Sequence, residues 1–265
     1  MKMTMADYLK KKEDFHSSIA AEENCHRVLC YHCLRPTKSC FCQTIKPFET
    51  NADIRILMHP MEAKEHVGTG RLTNICLSNS KIHVGIKFDQ DKEVQKLITN
   101  SELNCMILYP GDDSHNITQN PLKENLQTKK LVIFVIDATW PHAKLMMREN
   151  KQFHMLPRIS FNPPGISKFS IKHQPSKLCL CTIESLYHLI VGLELHGHED
   201  LAGKYEELMT TLEKLVNYQI ECSKNQELSS YRAKGSYKSP EDRVVSKKWK
   251  SRAICFDRKN YHKLL

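Results

Sequence analysis

Apolar positions in this chain fall into short runs broken by polar punctuation. The clearest run is Leu131-Val132-Ile133-Phe134-Val135-Ile136, which ends abruptly at Asp137-Ala138-Thr139-Trp140-Pro141. A short, wholly apolar run bounded by turn signals reads as a strand buried on both faces, and so as part of a parallel sheet covered by helices. Residues 54–58 read as the first strand, 105–109 as another buried strand and 158–161 as a shorter one. Residues 81–88 alternate, with Ile82, Val84 and Ile86 on one face and His83 and Lys87 on the other; this predicts a half-buried edge strand. Helical spacing appears between these runs. Leu72, Ile75 and Cys76 share one stripe; Val94, Leu97 and Ile98 another, within 91–99; Ala143, Met146 and Met147 a third, after Pro141. Ile183, Leu186, Tyr187, Ile190 and Leu193 predict a helix over 182–197, with Thr182 as its cap and Glu184 at its positive start. Leu201, Tyr205, Leu208, Leu212 and Leu215 predict a helix over 199–219. Residues 5–15 allow a short helix, and 112–130 are polar and read as exposed. Strands alternating with helices predict an α/β fold, a mostly parallel sheet with helices on both faces.

Chemistry concentrates where the predicted strands end, which is where open α/β sheets place their ligands. Asp137 sits at such an end, with Thr139 and Pro141 suited to start the helix that follows. Asp137 is either a second capping residue or a functional carboxylate. His59 and Glu62 follow the first strand and form either a hydrogen-bonded turn or part of a site. Arg71 can hold a carboxylate or phosphate by paired hydrogen bonds. Gly68-Thr69-Gly70 lacks the third glycine of a dinucleotide loop. Pro110-Gly111-Asp112 is a turn by composition. Lys168, Lys172 and His173 lie in an irregular basic stretch, 162–175, that suits RNA-phosphate contact or a solvated loop. Met146 and Met147 read as core, Lys144 and Arg148 as a solvated face, and Cys179 and Cys181 as packing cysteines.

The 265 residues suffice for one α/β domain with appendages; hydrophobic content of 40% and charged content of 26% are those of a soluble globular protein. A formal net charge of +9 suits a polyanionic partner. No apolar stretch has the length of a membrane helix, and the N-terminus lacks a signal-peptide core, so a cytoplasmic location without membrane attachment is expected. The 11 cysteines are odd in number and do not spread as a disulfide framework. Cys30, Cys33, Cys40 and Cys42 form C-x2-C, six residues, then C-x-C. Four thiolates this close can close a structural tetrahedral zinc site in a loop too short for a core of its own. The alternative is two unrelated cysteine pairs, and Cys25, His26 and His32 are spare ligands. Arg35 and Lys38 would offset the thiolate charge. The chain therefore divides into a polar segment (1–24), a cysteine-cluster zinc module (25–48), an α/β domain (49–222) and a basic tail (223–265). In the tail, Lys247, Lys248, Trp249, Lys250, Arg252, Phe256, Arg258 and Tyr261 interleave cations with aromatics, as an RNA contact or a solubilising tail does.

Asp137-Ala138-Thr139-Trp140 resembles the Asp-x-Thr-Trp signature of the DTW-domain family. Four further blocks resemble that family in the same order: the cysteine cluster, His59-Pro60-x-Glu62 with Thr69-Gly70-Arg71, Leu108-Tyr109-Pro110-Gly111, and Leu178-Cys179-Leu180-Cys181-Thr182-Ile183-Glu184. The resemblance implies a fold related to the SPOUT class, with a trefoil knot, and S-adenosylmethionine-dependent aminocarboxypropyl transfer to uridine in tRNA. It also implies that Leu108, Tyr109, Pro110, Gly111, Leu178, Leu180 and Thr182 border the cofactor. His59, Glu62 and Arg71 would lie near the substrate face, with Asp137 as general base or orienting acceptor, and Trp140 shaping the pocket, stacking on a base or packing in the core. Zinc would be structural, and the zinc loop and positive surface would hold the tRNA. A SPOUT-like RNA methyltransferase and a zinc-containing RNA-binding protein without catalysis stay open as alternatives.

Overall fold

The structure is a computed structural model and describes residues 28–123, 129–163, 165–172 and 179–225. The segment 1–24, Cys25, His26, His173, Leu178 and the basic residues of the tail lie outside the described residues. The chain divides into two compact units, Met1–Gln43 and Thr44–Leu265.

In the larger unit the apolar runs become one six-stranded sheet. Its strands are β1 (Asp53–Met58), β2 (Lys81–Val84), β3 (Leu103–Leu108), β4 (His115–Asn116), β5 (Lys130–Asp137) and β6 (Arg158–Ser160). They lie in the order β2-β1-β5-β3-β6-β4, and every neighbouring pair is parallel. The helices are α1 (Thr69–Cys76), α2 (Lys92–Thr99), α3 (Trp140–Glu149), α4 (Thr182–Leu195) and α5 (Glu206–Lys224). Successive strand residues point to opposite faces, so a run apolar throughout needs cover on both. Leu57, Ile107, Val132 and Phe134 pack with Val94 of α2, Met146 and Met147 of α3, and Phe153. The alternate residues Ile54, Ile56, Met58, Ile133 and Val135 are buried on the other face, where α1 meets β1 and α4 meets β5. Each such side chain contributes about 1.5–3 kcal/mol relative to exposure.

This layering places the site. The chain leaves β1 for α1 on one face and leaves the adjacent β5 for α3 on the other. Neighbouring strands whose connections diverge in this way open a crevice at their carboxyl ends, the switch point where such sheets bind ligands. Among the described residues no helix is long and apolar enough to cross a membrane.

The structure corrects four expectations. In β2, His83 is the buried residue and Val84 is 55% exposed. His83 lies in register with Leu57, on the α2 face, and its imidazole pairs with the Asp91 carboxylate at 3.0 Å, which makes its burial tolerable. Residues 112–130 are not simply exposed: they contain β4, and Ile117 and Leu122 are buried. Ile117 fits because α4 carries Gly192 opposite it, where a Cβ would stand 2.7 Å from Ile117 Cγ2. The last helix starts at Glu206 rather than near 199. Ala202 and Gly203 have positive φ, and Glu199 is used elsewhere: its carboxylate accepts from Asn51 N and Ala52 N just before β1. Finally, Thr182 does not cap α4. Cys181 does, with Glu184 accepting from the Cys181 N–H in a capping box.

Asn150 carries an unusual load on the α3 face. It is fully buried; Oδ1 accepts from Phe88 N, and Nδ2 donates to Ile86 O and Met146 O, each at 2.7 Å. Asn150→Leu is expected to strand these buried backbone groups and to lower unfolding free energy by about 2–4 kcal/mol, read as a reduced urea midpoint at unchanged slope. An unchanged midpoint would show that the three bonds are not holding the loop after β2 onto α3.

Candidate active site and metal centre

Asp137 ends β5 in register with Met58 of β1. Two residues beyond Val135 on the strand, its side chain shares that residue's face and points toward α1 and α4. It is only 4% exposed. Thr182 Oγ1, in the first turn of α4, donates to Asp137 Oδ1 at 2.5 Å. Oδ2 is buried without a hydrogen-bond donor. It faces Gly70 in the first turn of α1, where a Cβ would stand 2.2 Å away. Any side chain at residue 70 would therefore displace the carboxylate. Burial pushes Asp137 up to about 6; the Thr182 bond opposes the shift, Glu62 adds to it, and Lys172 and Arg71 oppose it.

Those neighbours complete the cluster. Glu62 is buried, and Lys172 Nζ reaches its Oε2 at 3.3 Å. Arg71 donates from Nη2 to Ala63 O at 2.6 Å, while its Nε is buried without a partner. His59 donates its backbone N–H to Asp137 O at 2.9 Å, and its Nδ1 accepts from Met61 N at 3.2 Å. Its ring stacks on His142 of α3, centroids 4.0 Å apart and planes within 8°. Burial lowers the His59 pKa, and the neighbouring His142 lowers it further.

The structure thus brings His59, Glu62, Arg71, Asp137, Lys172 and Thr182 together on one rim. Tyr109 and Trp140 meet on the opposite side of the sheet, edge to face with centroids 6.4 Å apart, and the Arg158 guanidinium lies over Tyr109 at 5.8 Å. Leu108, at the end of β3, and Pro110, in the turn after it, are half-buried, whereas Gly111 is exposed beneath the Arg158–Asp113 pair. Leu180 is half-buried beside the Cys181 cap. Ala138 packs against the α3-face core and Thr139 is exposed. Thr139 stands at the cap position of α3, but its hydroxyl makes no capping bond. Lys168 is exposed, its backbone N–H held by Glu184 Oε1 at 2.6 Å.

Sequence reasoning missed the roles of three residues of this site. Glu184 accepts from Cys181 N, Ser167 Oγ and Lys168 N, so it pins the loop that carries Lys172 to the start of α4. The signal was present as a capping box with cysteine in place of serine, masked by Thr182 next to it. Gly70 and His142 carried no signal, because their roles are contacts between elements distant in sequence.

In the smaller unit, Leu29 and Pro36 form an antiparallel bridge around a tight turn, with Leu34 at φ +57. The four sulfurs of Cys30, Cys33, Cys40 and Cys42 all lie within 4.8 Å of one another. Cys33 and Cys40 are 3.8 Å apart and Cys30 and Cys42 are 4.0 Å apart. Tetrahedral zinc–sulfur bonds of about 2.3 Å require sulfur–sulfur edges of about 3.8 Å, so the four thiols could hold one such ion. Backbone N–H groups of Cys33 and His32 point at Cys30 Sγ and lower its pKa to about 6, against the opposing effect of burial. Arg35 is buried with its guanidinium 4.4 Å above the Phe41 ring.

The model of the family described as DTW domain matches residues 27–220. A protein of Mus musculus called tRNA-uridine aminocarboxypropyltransferase 2 is 25% identical over 196 residues, 72% of this chain and 63% of its own length. Its namesake in Macaca fascicularis is 26% identical over 196 residues, with the same coverage. The Drosophila melanogaster protein of that name is 28% identical over 211 residues, 77% of this chain and 79% of its own. The match spans 63% of the length of the two mammalian relatives. No solved structure matches this chain.

Two outcomes follow from the geometry. An aspartate that holds its proton more tightly folded than unfolded penalises folding as pH rises from its ordinary 3.8 to about 6, and the penalty is constant above. Asp137→Asn keeps an acceptor for Thr182 and removes the charge. Its stability relative to wild type is expected to rise across that window by on the order of 2 kcal/mol and then level off, read by urea unfolding at stepped pH. For the smaller unit, Co²⁺ added to metal-free protein is expected to give the intense spectrum of tetrahedral thiolate ligation, and Cys40→Ser to weaken the affinity at least about tenfold. A weak octahedral spectrum would mean that the four sulfurs do not act as one site.

Proposed function

Because this chain belongs to the DTW-domain family, we propose that it transfers the 3-amino-3-carboxypropyl group of S-adenosylmethionine to a uridine in tRNA. Support comes from the names of its relatives and, above all, from the buried charged cluster around Asp137, which gathers three of the family-like blocks at the switch point of the sheet.

The sulfonium of the donor supplies the electrophile. The uridine imide nitrogen attacks the carbon beside sulfur and releases its proton. The carbon–sulfur bond breaks with its electrons going to sulfur, and methylthioadenosine leaves. A sulfonium and a neutral imide become a neutral thioether, an alkylated uridine and one proton. The protein's part is to align the two reactants and exclude competing water. Asp137 serves this as the orienting acceptor: with Oδ1 on Thr182 and Oδ2 against Gly70, it locks the starts of α1 and α4 to the end of β5. Thr182 is thereby a positioning residue. The exposed Lys168 and the net positive charge suit tRNA phosphates. The four-cysteine cluster fits a structural zinc ion with no open position for chemistry.

Unmodified tRNA incubated with the protein and S-adenosylmethionine is expected to yield a uridine heavier by an aminocarboxypropyl group, with release of methylthioadenosine, by nucleoside mass spectrometry. Asp137→Ala is expected to cut that yield about a hundredfold, the scale of a misplaced reactant. A methylated nucleoside with S-adenosylhomocysteine would replace this reading by a methyltransferase. RNA binding without any modified nucleoside would replace it by a binding module.

A further inference from the structure

We propose that Glu62, Arg71 and Lys172 form a subsite for the amino-acid end of the donor, Glu62 taking the α-ammonium and the two cations the α-carboxylate. The proposal rests on the reading of the protein as an aminocarboxypropyl transferase.

The rim at the ends of β1 and β5 carries two carboxylates, Asp137 and Glu62, and two cations, Arg71 and Lys172, all close enough to act on Asp137. A phosphate subsite would carry cations alone, and a subsite for a bare ammonium or sulfonium would carry carboxylates alone. Mixed charges on neighbouring side chains complement a ligand with both signs on one carbon, which is an α-amino acid.

The four groups are not equivalent. Asp137 is enclosed by Thr182 and Gly70, so it belongs to the scaffold. Glu62 is engaged by Lys172 at 3.3 Å, longer than the roughly 2.7–2.9 Å of a well-formed charged hydrogen bond. The Lys172 side chain is 34% exposed, so its ammonium can swing from Glu62 to a ligand carboxylate. Arg71 is anchored to Ala63, in the same short turn as Glu62, and its buried Nε still lacks an acceptor. Lys172 is delivered by the loop that Glu184 pins to α4. In the free protein Glu62 and Lys172 neutralise each other. A zwitterion exchanges that loose pair for two pairs and leaves no net charge buried, which is what makes the exchange favourable in a partly desolvated cleft.

The test uses the full chain and three ligands in calorimetric titrations at fixed ionic strength. They are S-adenosylmethionine, its decarboxylated form, and methylthioadenosine, which lacks the amino-acid end altogether. Wild type is expected to prefer S-adenosylmethionine over the decarboxylated form by about tenfold or more. In Lys172→Met that ratio should fall to about threefold or less, with methylthioadenosine affinity unchanged as the sign of an intact fold. Glu62→Gln should instead shrink the preference for the decarboxylated form, which keeps the ammonium, over methylthioadenosine. Binding of S-adenosylmethionine with both preferences untouched by the variants would overturn the subsite and leave the transferase reading standing. No binding of S-adenosylmethionine by wild type would overturn both.

Discussion

The hydrogen bond from Thr182 to Asp137 joins the end of the central strand to the start of a helix 45 residues further on. Much of the site depends on it. A carboxylate taken out of water needs compensation, and here it comes from one short hydroxyl bond, the starts of two helices and two nearby cations. Because Oδ2 is left facing Gly70, α1 can approach β5 only if that residue has no side chain. Through its backbone carbonyl, Asp137 also accepts from the backbone N–H of His59. One side chain therefore sets the relative positions of the chain leaving β1, the chain leaving β5 and the arrival of α4.

Of the two roles open to Asp137, this arrangement supports the orienting one proposed above. Both oxygens are enclosed, so it cannot meet a substrate proton without breaking the contacts that define the site. A sulfonium donor makes a strong base less necessary than good alignment, because the leaving group departs as a neutral thioether. The burial of Asp137 and the proposed chemistry are thus consistent: the residue most embedded in the scaffold is spent on geometry, and the more accessible charges, Lys172 above all, are left for ligand contact.

Much of the fold was legible. The apolar run of β5 carries its own requirement for two covered faces, and the stripe within 91–99 is a helix, begun one residue later and capped by Asp91, whose carboxylate accepts from Glu93 N and Val94 N. The cysteine spacing gave a cluster whose sulfur separations fit one ion. What escaped were decisions taken by contacts remote in sequence. Alternation in 81–88 assigned the wrong face because an imidazole paired with Asp91 is as buriable as a valine. Ile117 became core because of Gly192, 75 residues away, and Glu199 left the helix pattern to bind the backbone before β1. Within the site, Asp137, His59 and Arg71 stood out by type and place. Gly70 and His142 could not, since a missing Cβ or a stacking partner has meaning only once its neighbour is known.

The strand order has a consequence for how the chain reaches this state. β5 lies between β1 and β3 yet is made after both. As the chain emerges during synthesis, β1 can pair with β2, but its other edge and the facing edge of β3 stay open until residue 137 is available, and the far edge of β3 until β6 follows. The two central pairings, β1 with β5 and β3 with β5, both wait for the strand that also carries Asp137. Such a late keystone implies a slow, cooperative closing step and a window in which apolar strand edges are exposed to other chains. The strand that carries Asp137 is thus also the one whose arrival closes the two central edges.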